Sequence, residues 1–298
     1  MATPEPEVPL IFDCAGAQLL GILHLGAPDA RRAVIIVVGG PQYRVGSHRQ
    51  FVLLARHLAA AGIPTLRFDY RGMGDSEGDP RSFETIRDDI AAAIDCLFHQ
   101  LPALRQVVLW GLCDAASASA LYAAGDHRVA GLVLLNPWVR TPTGEARAYL
   151  WHYYTQRLLS APFWLKFLRG SVDLRQSLSA LRGFIRSAKN APATDEHPEP
   201  NADRVGATDL APRPDSTSPQ RILQSLRDFP GQVLLILSGN DLTAREFDDR
   251  LRTAPAWSLW AQREQVERRY LLEADHTFSN ETWRAQVQDC TLTWLRST

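Results

Sequence analysis

The chain has 298 residues, of which 45% are hydrophobic and 22% are charged, and its formal net charge is -1 at pH 7. This composition is typical of a globular protein that is long enough to bury a sizeable core. The nearly neutral chain lacks the overall positive charge that drives binding to nucleic acid, so we expect no nucleic-acid partner.

The sequence also argues against membrane spans, secretion and bound metals. No apolar run reaches the roughly 18 residues that a bilayer-spanning helix needs, and the opening MATPEPEVPL lacks the basic and apolar regions of a signal peptide. The four cysteines, Cys14, Cys96, Cys113 and Cys290, show neither a CxxC pair nor zinc-ligand spacing. We therefore expect a cytoplasmic protein with free thiols, no metal site and no cofactor.

The first predicted element is a β-hairpin between about residues 8 and 25, where two apolar runs flank a glycine-containing turn. Short apolar runs then predict strands at 33–38, 63–68, 106–110, 131–136, 232–237 and 267–273. Most are apolar on both faces, as parallel strands covered by helices must be, and helical patterns lie between them. This alternation predicts the α/β class, with a mostly parallel, doubly wound sheet.

The alternation is interrupted after residue 138 by a long insertion. Residues 139–186 are rich in aromatic side chains and predict a helical cap, whereas residues 187–218 are polar and proline-rich and predict a disordered linker. The sheet pattern resumes afterwards. We therefore predict a core formed by residues 1–138 and 219–298, with a cap inserted between two of its strands.

The stretch VVLWGLCDAASASA contains the candidate nucleophile. A strand ends near Gly111 and a helix begins near Asp114, so Cys113 lies on a tight turn. Small residues two before and two after the nucleophile relieve crowding in such turns, and Gly111 and Ala115 occupy those positions. The usual motif of such a turn is G-x-S-x-G; here Cys113 replaces its serine and Ala115 replaces its final glycine. The alternative is that Cys113 is a small buried apolar residue.

A cysteine nucleophile needs a base, because the free thiol is mostly protonated near neutral pH. His276 follows the last predicted strand, and Asp241 follows the strand before it. Groups after parallel strands meet at the carboxyl edge of the sheet, where Asp241 can orient the imidazole. Asp248 and Asp249 are weaker candidates for the acid because they lie within a predicted helix.

An oxyanion needs two backbone N–H donors. The first is expected from Asp114, directly after the nucleophile, and the second from the loop after the strand at 33–38. Pro41 has no N–H, so Gln42 is the predicted second donor. The Asp114 carboxylate opposes a thiolate if it points towards Cys113, whereas the helix N-terminus favours the thiolate, and the sequence leaves this balance open.

The glycine-rich stretch FDYRGMGDSEG, residues 68–78, resembles a phosphate-binding loop only superficially, since no Lys-Ser/Thr pair follows it. We interpret it as a structural loop that braces the edge of the sheet carrying the candidate site.

The order of GGPQ, FDYRGMGDSEG, GLCDA, GND and ADH resembles the α/β-hydrolase superfamily over nearly the whole chain outside the linker. Within it, GGPQYRVGSHRQF together with WGLCDAAS is similar to the bacterial exosortase A system-associated hydrolases, type 1. The cysteine is also similar to the nucleophile of dienelactone hydrolases. The resemblance implies Cys113 as nucleophile, His276 as base and Asp241 as acid, in an exosortase- or exopolysaccharide-associated pathway, and it implies no particular substrate.

Two functions follow from these residues. The first is a hydrolase or acyltransferase that acts on a small-molecule ester, thioester or lactone, for which the aromatic cap suggests an apolar chain. The second is a catalytically silent module that keeps the hydrolase fold for binding or assembly, as Pro41 and Asp114 suggest. The sequence leaves the acyl acceptor and the oligomeric state open.

Overall fold

The structure, a computed structural model, describes residues 7–40, 42–139 and 218–298. These residues belong to one compact unit. Nearly all of the predicted cap and linker, residues 140–217, lies outside the described residues, as does Pro41.

The described strands are β1 Glu7–Cys14, β2 Ala17–His24, β3 Arg32–Val37, β4 Thr65–Phe68, β5 Gln106–Leu112, β6 Val129–Leu135, β7 Gln232–Asn240 and β8 Val266–Asp275. The described α-helices are α1 Gln50–Ala60, α2 Arg87–Gln100, α3 Asp114–Ala123, α4 Ser218–Asp228, α5 Leu242–Thr253, α6 Pro255–Ala261 and α7 Glu281–Ser297. No helix in this part of the chain is long and apolar enough to span a bilayer.

The strands form one sheet of eight strands in the order β1-β2-β4-β3-β5-β6-β7-β8. The hairpin β1–β2 is antiparallel, and β2 pairs antiparallel with β4. From β4 across to β8 every pairing is parallel. This topology confirms the predicted α/β-hydrolase fold, with the opening hairpin as the antiparallel edge.

Burial on both faces explains why the central strands are continuously apolar. Neighbouring side chains along a strand point to opposite faces, and Ile35 and Ile36 of β3 belong to two separate apolar clusters. Leu109 and Trp110 of β5 divide in the same way. Helices cover both faces of the sheet. A ligand is therefore expected to bind at the carboxyl edge, beside the loops that follow the parallel strands.

Candidate active site

Cys113 forms the whole connection between β5 and α3. Its backbone has φ 62 and ψ -122, a conformation that is strained for any residue with a side chain. Hydrogen bonds fix the turn: the Cys113 N–H donates to the Leu135 carbonyl at 2.9 Å, and the Trp138 N–H donates to the Cys113 carbonyl at 3.2 Å. The side chain is partly exposed. The sheet therefore holds the thiol at its carboxyl edge in a sharp elbow.

The small residues around Cys113 are required by close packing of the elbow. A Cβ atom added to Gly111 would lie 2.6 Å from the carbonyl carbon and oxygen of Ala115. Ala115 itself is fully buried. The G-x-C-x-A spacing thus has a steric cause, since the first turn of α3 crosses directly over the end of β5.

The imidazole of His276 contacts both Asp241 and Cys113. Its Nδ1 atom lies 2.9 Å from Oδ2 of Asp241, and the side chain of Cys113 lies close enough to the imidazole to raise its pKa. The three residues predicted from the sequence thus meet at one place, although 128 and 163 positions of chain number separate Cys113 from the other two. Residue types in this arrangement can act as a nucleophile, a base and an orienting acid.

The position of Asp241 is fixed because its side chain also caps the N-terminus of α5. As the residue before α5, it accepts hydrogen bonds from the N–H of Thr243 at 3.2 Å and of Ala244 at 2.9 Å. Its side chain is buried. The start of α5 therefore fixes the carboxylate that faces His276. By contrast, Asp248 contacts Tyr270 and Arg252, and Asp249 lies with it inside α5.

The pKa of His276 is raised from 6.5 to about 10, because Asp241 and, second, Cys113 accept hydrogen bonds from the imidazolium and attract its charge. Burial opposes this rise and is outweighed. The site therefore favours a positive His276 between two acceptors. A thiolate on Cys113 would form an ion pair with it.

The carboxylate of Asp114 points towards the loop after β3. Its Oδ2 accepts a hydrogen bond from the Gly40 N–H at 2.8 Å, and its Oδ1 accepts one from the Ala115 N–H at 3.0 Å. Burial raises the pKa of the Asp114 carboxyl, while these backbone donors and the charge of His276 lower it. The orientation that the sequence left open is thus fixed by backbone N–H groups.

The Gln42 N–H, predicted as the second oxyanion donor, donates to the Gly39 carbonyl at 3.3 Å in a tight turn. The Gln42 side-chain oxygen accepts hydrogen bonds from the Ser47 N–H at 3.3 Å and from the Gln50 amide at 3.4 Å. An oxyanion role for Gln42 therefore requires that its turn bond open.

Asn136, which the sequence analysis did not predict as a site residue, links the end of β6 to Ser238 of β7 and to the loop after β8. It is fully buried with φ 44 at the end of β6. Its amide nitrogen donates to Ser238 Oγ at 2.9 Å and to the His276 carbonyl at 3.2 Å, and its oxygen accepts from the Ser238 N–H at 2.9 Å. The signal was the single polar residue that ends the apolar run LVLLN.

The glycine-rich loop makes structural contacts. Asp69 is fully buried; it pairs with the Arg44 guanidinium and accepts the Arg44 N–H at 2.6 Å. Arg71 donates two hydrogen bonds of 2.9 Å to Asp89. The loop after β3 is thus tied to the loop after β4, which agrees with a bracing role.

All four cysteines are free. Across residues 7–40, 42–139 and 218–298, no group of three or more His, Cys, Asp or Glu side chains is placed to hold a metal ion.

A strand, an elbow with positive φ and a helix, followed along the sheet by an aspartate and a histidine, are features of the α/β hydrolases. The family comparison agrees with this geometry. Residues 34–288 match the Alpha/beta hydrolase family, and the chain belongs to that family.

Two curated proteins match shorter segments. The polyketide transferase GrgF from Penicillium sp. is 32% identical over 90 residues, covering 29% of this chain and 31% of the relative. The quorum-quenching protein AidA from Acinetobacter baumannii is 28% identical over 142 residues, covering 45% of each chain. The matched segments therefore span less than half the length of these relatives.

Solved structures match over nearly the full chain and show the fold. The crystal structure of GrgF has a TM-score of 0.61 at 18% identity, with 98% of each chain covered. Est1E from Butyrivibrio proteoclasticus, solved with ferulic acid bound, has a TM-score of 0.60 at 15% identity, covering 97% of this chain and 98% of the other.

Proposed function

We propose that this protein is a hydrolase or acyltransferase that uses Cys113 as nucleophile, His276 as base and Asp241 as acid to cleave an ester, thioester or lactone. One observation carries the proposal: the imidazole of His276 contacts Asp241 at 2.9 Å and also the thiol on the strained elbow. A merely structural cysteine has no need of a strained backbone or of a paired histidine.

The reaction begins when His276 holds the proton of Cys113 and the thiolate attacks the acyl carbonyl carbon. The C–S bond forms while the carbonyl electron pair moves to oxygen, where the N–H of Asp114 and an N–H of the loop after β3, from Gln42 or Gly40, stabilise it. When the oxyanion collapses, the leaving alkoxide or thiolate takes the proton from His276. Water or an alcohol, deprotonated by His276, then releases the acyl group.

The relatives support acyl chemistry of this kind. One curated relative is named a polyketide transferase, and a structural neighbour is an esterase from Pyrococcus furiosus. A cysteine nucleophile makes thioester substrates and transfer to an alcohol at least as suitable as simple ester hydrolysis. We assign a small-molecule acyl substrate, with an apolar chain suggested by the aromatic sequence of residues 149–167.

The biological setting is proposed from the sequence alone. The motifs GGPQYRVGSHRQF and WGLCDAAS resemble the exosortase A system-associated hydrolases, which supports a role beside exosortase or exopolysaccharide machinery. Four free cysteines support a cytoplasmic location, where thiols stay reduced. The mechanism needs no cofactor.

A catalytically silent binding module is the second candidate function. The observation in its favour is the hydrogen bond from the Gly40 N–H to the Asp114 carboxylate, which engages a backbone donor beside the elbow. Such a module would bind acyl compounds without turning them over.

The test is turnover of acyl esters and acyl thioesters of graded chain length by wild type, Cys113→Ala and Cys113→Ser. Cys290→Ala is the matched control, because Cys290 is also free and partly exposed but lies on α7. We expect wild type and Cys290→Ala to be active and Cys113→Ala to be inactive. Equal activity in Cys113→Ala contradicts the proposal, and binding without turnover by folded wild type favours the silent module.

A further inference from the structure

The N–H groups around the elbow already have an acceptor. The Asp114 carboxylate receives hydrogen bonds from the Gly40 N–H at 2.8 Å and the Ala115 N–H at 3.0 Å. Gly40 belongs to the loop after β3, and the Asp114 N–H directly follows the nucleophile. These are the two places from which an α/β hydrolase draws its oxyanion donors.

The loop after β3 packs closely against the Asp114 carboxylate. A Cβ atom added to Gly39 would lie 2.2 Å from Oδ1 of Asp114 and 2.8 Å from the Ala115 nitrogen. Only glycine at position 39 therefore lets the loop approach the carboxylate so closely. The contact depends on the loop after β3 as well as on the first turn of α3.

Neither of the next two residues of the loop offers a free replacement donor in this arrangement. Pro41 has no N–H, and the Gln42 N–H donates to the Gly39 carbonyl. An acyl oxygen that becomes negative would need the Gly40 N–H that the Asp114 carboxylate holds. Two negative oxygens cannot share that donor without strong repulsion.

We propose that the Asp114 carboxylate is a resident ligand of the Gly40 N–H, one of the two expected oxyanion donors, that the acyl carbonyl must displace it, and that Asp114 thereby determines substrate specificity. The inference rests on the proposed function. A displaced carboxylate in this partly buried place loses a hydrogen bond, which is costly unless another donor replaces it. Acyl groups with a hydroxyl or N–H close to the carbonyl supply that donor, whereas plain acyl chains do not.

The first experiment separates the oxyanion donors from the reactivity of the thiolate. Cys113 is acylated in a single turnover by p-nitrophenyl butyrate and, separately, alkylated by iodoacetamide, with both rates followed by intact-protein mass spectrometry. Acylation forms the S–C bond, breaks the ester C–O bond and expels p-nitrophenolate through an oxyanion. Alkylation displaces iodide without forming one, so the ratio of the two rates reports on the donors.

Asp114→Asn and Asp114→Ala are compared with wild type, and Asp88→Ala is the matched control, because Asp88 is a first-turn acid of α2. We expect the acylation-to-alkylation ratio to rise at least tenfold in both Asp114 variants and to stay constant in Asp88→Ala. Asp114→Asn keeps the size of the side chain, so it remains informative if Asp114→Ala folds poorly. An unchanged ratio, or a ratio that falls, overturns the proposal.

The second experiment tests the substrate class with butyryl and 3-hydroxybutyryl thioesters of N-acetylcysteamine. We expect wild type to be acylated at least fivefold faster by the hydroxylated substrate and Asp114→Ala to show a preference near one. Equal rates in wild type, or the same preference in both proteins, overturn the inference while leaving Cys113 as nucleophile. Absence of acylation at Cys113 in every variant overturns both the inference and the proposed function.

Discussion

One carboxylate, that of Asp241, both begins helix α5 and faces the His276 imidazole. Oδ2 of Asp241 lies 2.9 Å from Nδ1 of His276 and also 2.9 Å from the Ala244 nitrogen. The helix start and the orientation of the His276 imidazole thus depend on the same oxygen. The two roles can be separated by choosing the substitution.

Asp241→Asn is expected to keep α5 intact and to impair catalysis. Asparagine begins helices about as well as aspartate, but it cannot stabilise the imidazolium, and in other triads this change costs about 10⁴-fold in kcat. Asp241→Ala should in addition lose about 1 kcal/mol of unfolding free energy. Denaturant unfolding and kcat are measured on both variants; an Asp241→Asn enzyme as active as wild type refutes the assignment.

Cys113 is expected to react with iodoacetamide faster than the other three cysteines near neutral pH, because the pKa of His276 is raised to about 10 and its imidazolium therefore stays beside the thiol at that pH. Burial raises the pKa of Cys14, Cys96 and Cys290, so these thiols should react only in alkaline solution. Peptide-resolved labelling at several pH values checks this. Cys113 labelling no faster than that of Cys290 at neutral pH would contradict it.

The charged form of His276 should also stabilise the fold. A pKa raised from 6.5 to about 10 means that this contribution is complete below pH 6.5 and is lost as pH rises through about 10. The groups that face the imidazole are Asp241, Cys113 and Asp114. The melting temperature of wild type relative to His276→Gln should therefore be higher at pH 6 than at pH 10.5, and a constant difference would exclude the linkage.

Gly111→Ala is expected to destabilise the protein by roughly 2 kcal/mol and to displace the elbow, because the added Cβ would meet the Ala115 backbone at 2.6 Å. Gly16→Ala is the control, since its Cβ would meet no atom within 4 Å although the φ of 83 at Gly16 is unsuited to alanine. That variant should lose about 1 kcal/mol and keep full activity. Chemical denaturation and kcat distinguish the two.

Asn136→Asp tests the link between β6 and the loop of His276. Aspartate tolerates the positive φ but cannot donate to the His276 carbonyl or to Ser238 Oγ. We expect kcat to fall at least tenfold with little change in KM, because the backbone of His276 loses the hydrogen bond that supports it. Thermal unfolding runs alongside, and a loss of stability of about 2 kcal/mol without any change in kcat would reduce Asn136 to a structural residue.

The sheet could be predicted from the sequence because its strands are buried on both faces and therefore stand out as short apolar runs. Boundaries were less exact: the strand predicted from residue 63 begins at Thr65, since Pro64 cannot donate to a neighbouring strand. The last strand extends to Asp275, beyond the predicted 273, and its pairing with β7 is irregular between Ser238 and Asn240.

Residues at the site were predictable where position along the chain decides their location. Cys113, Asp241 and His276 each directly follow a parallel strand, and such positions converge at one edge. The direction of the Asp114 side chain and the turn bond of Gln42 depend on how the loop after β3 packs over α3, and no local pattern reports that packing. The network of Asn136 depends on three strands at once.

The positive φ of Cys113 has a consequence for evolution and engineering of the chain. Glycine adopts this conformation without the cost that a side chain incurs. Cys113→Gly is therefore expected to yield a protein that melts higher than its parent and turns nothing over. The variant would gain stability and lose its activity, so selection for stability alone would favour glycine at this position.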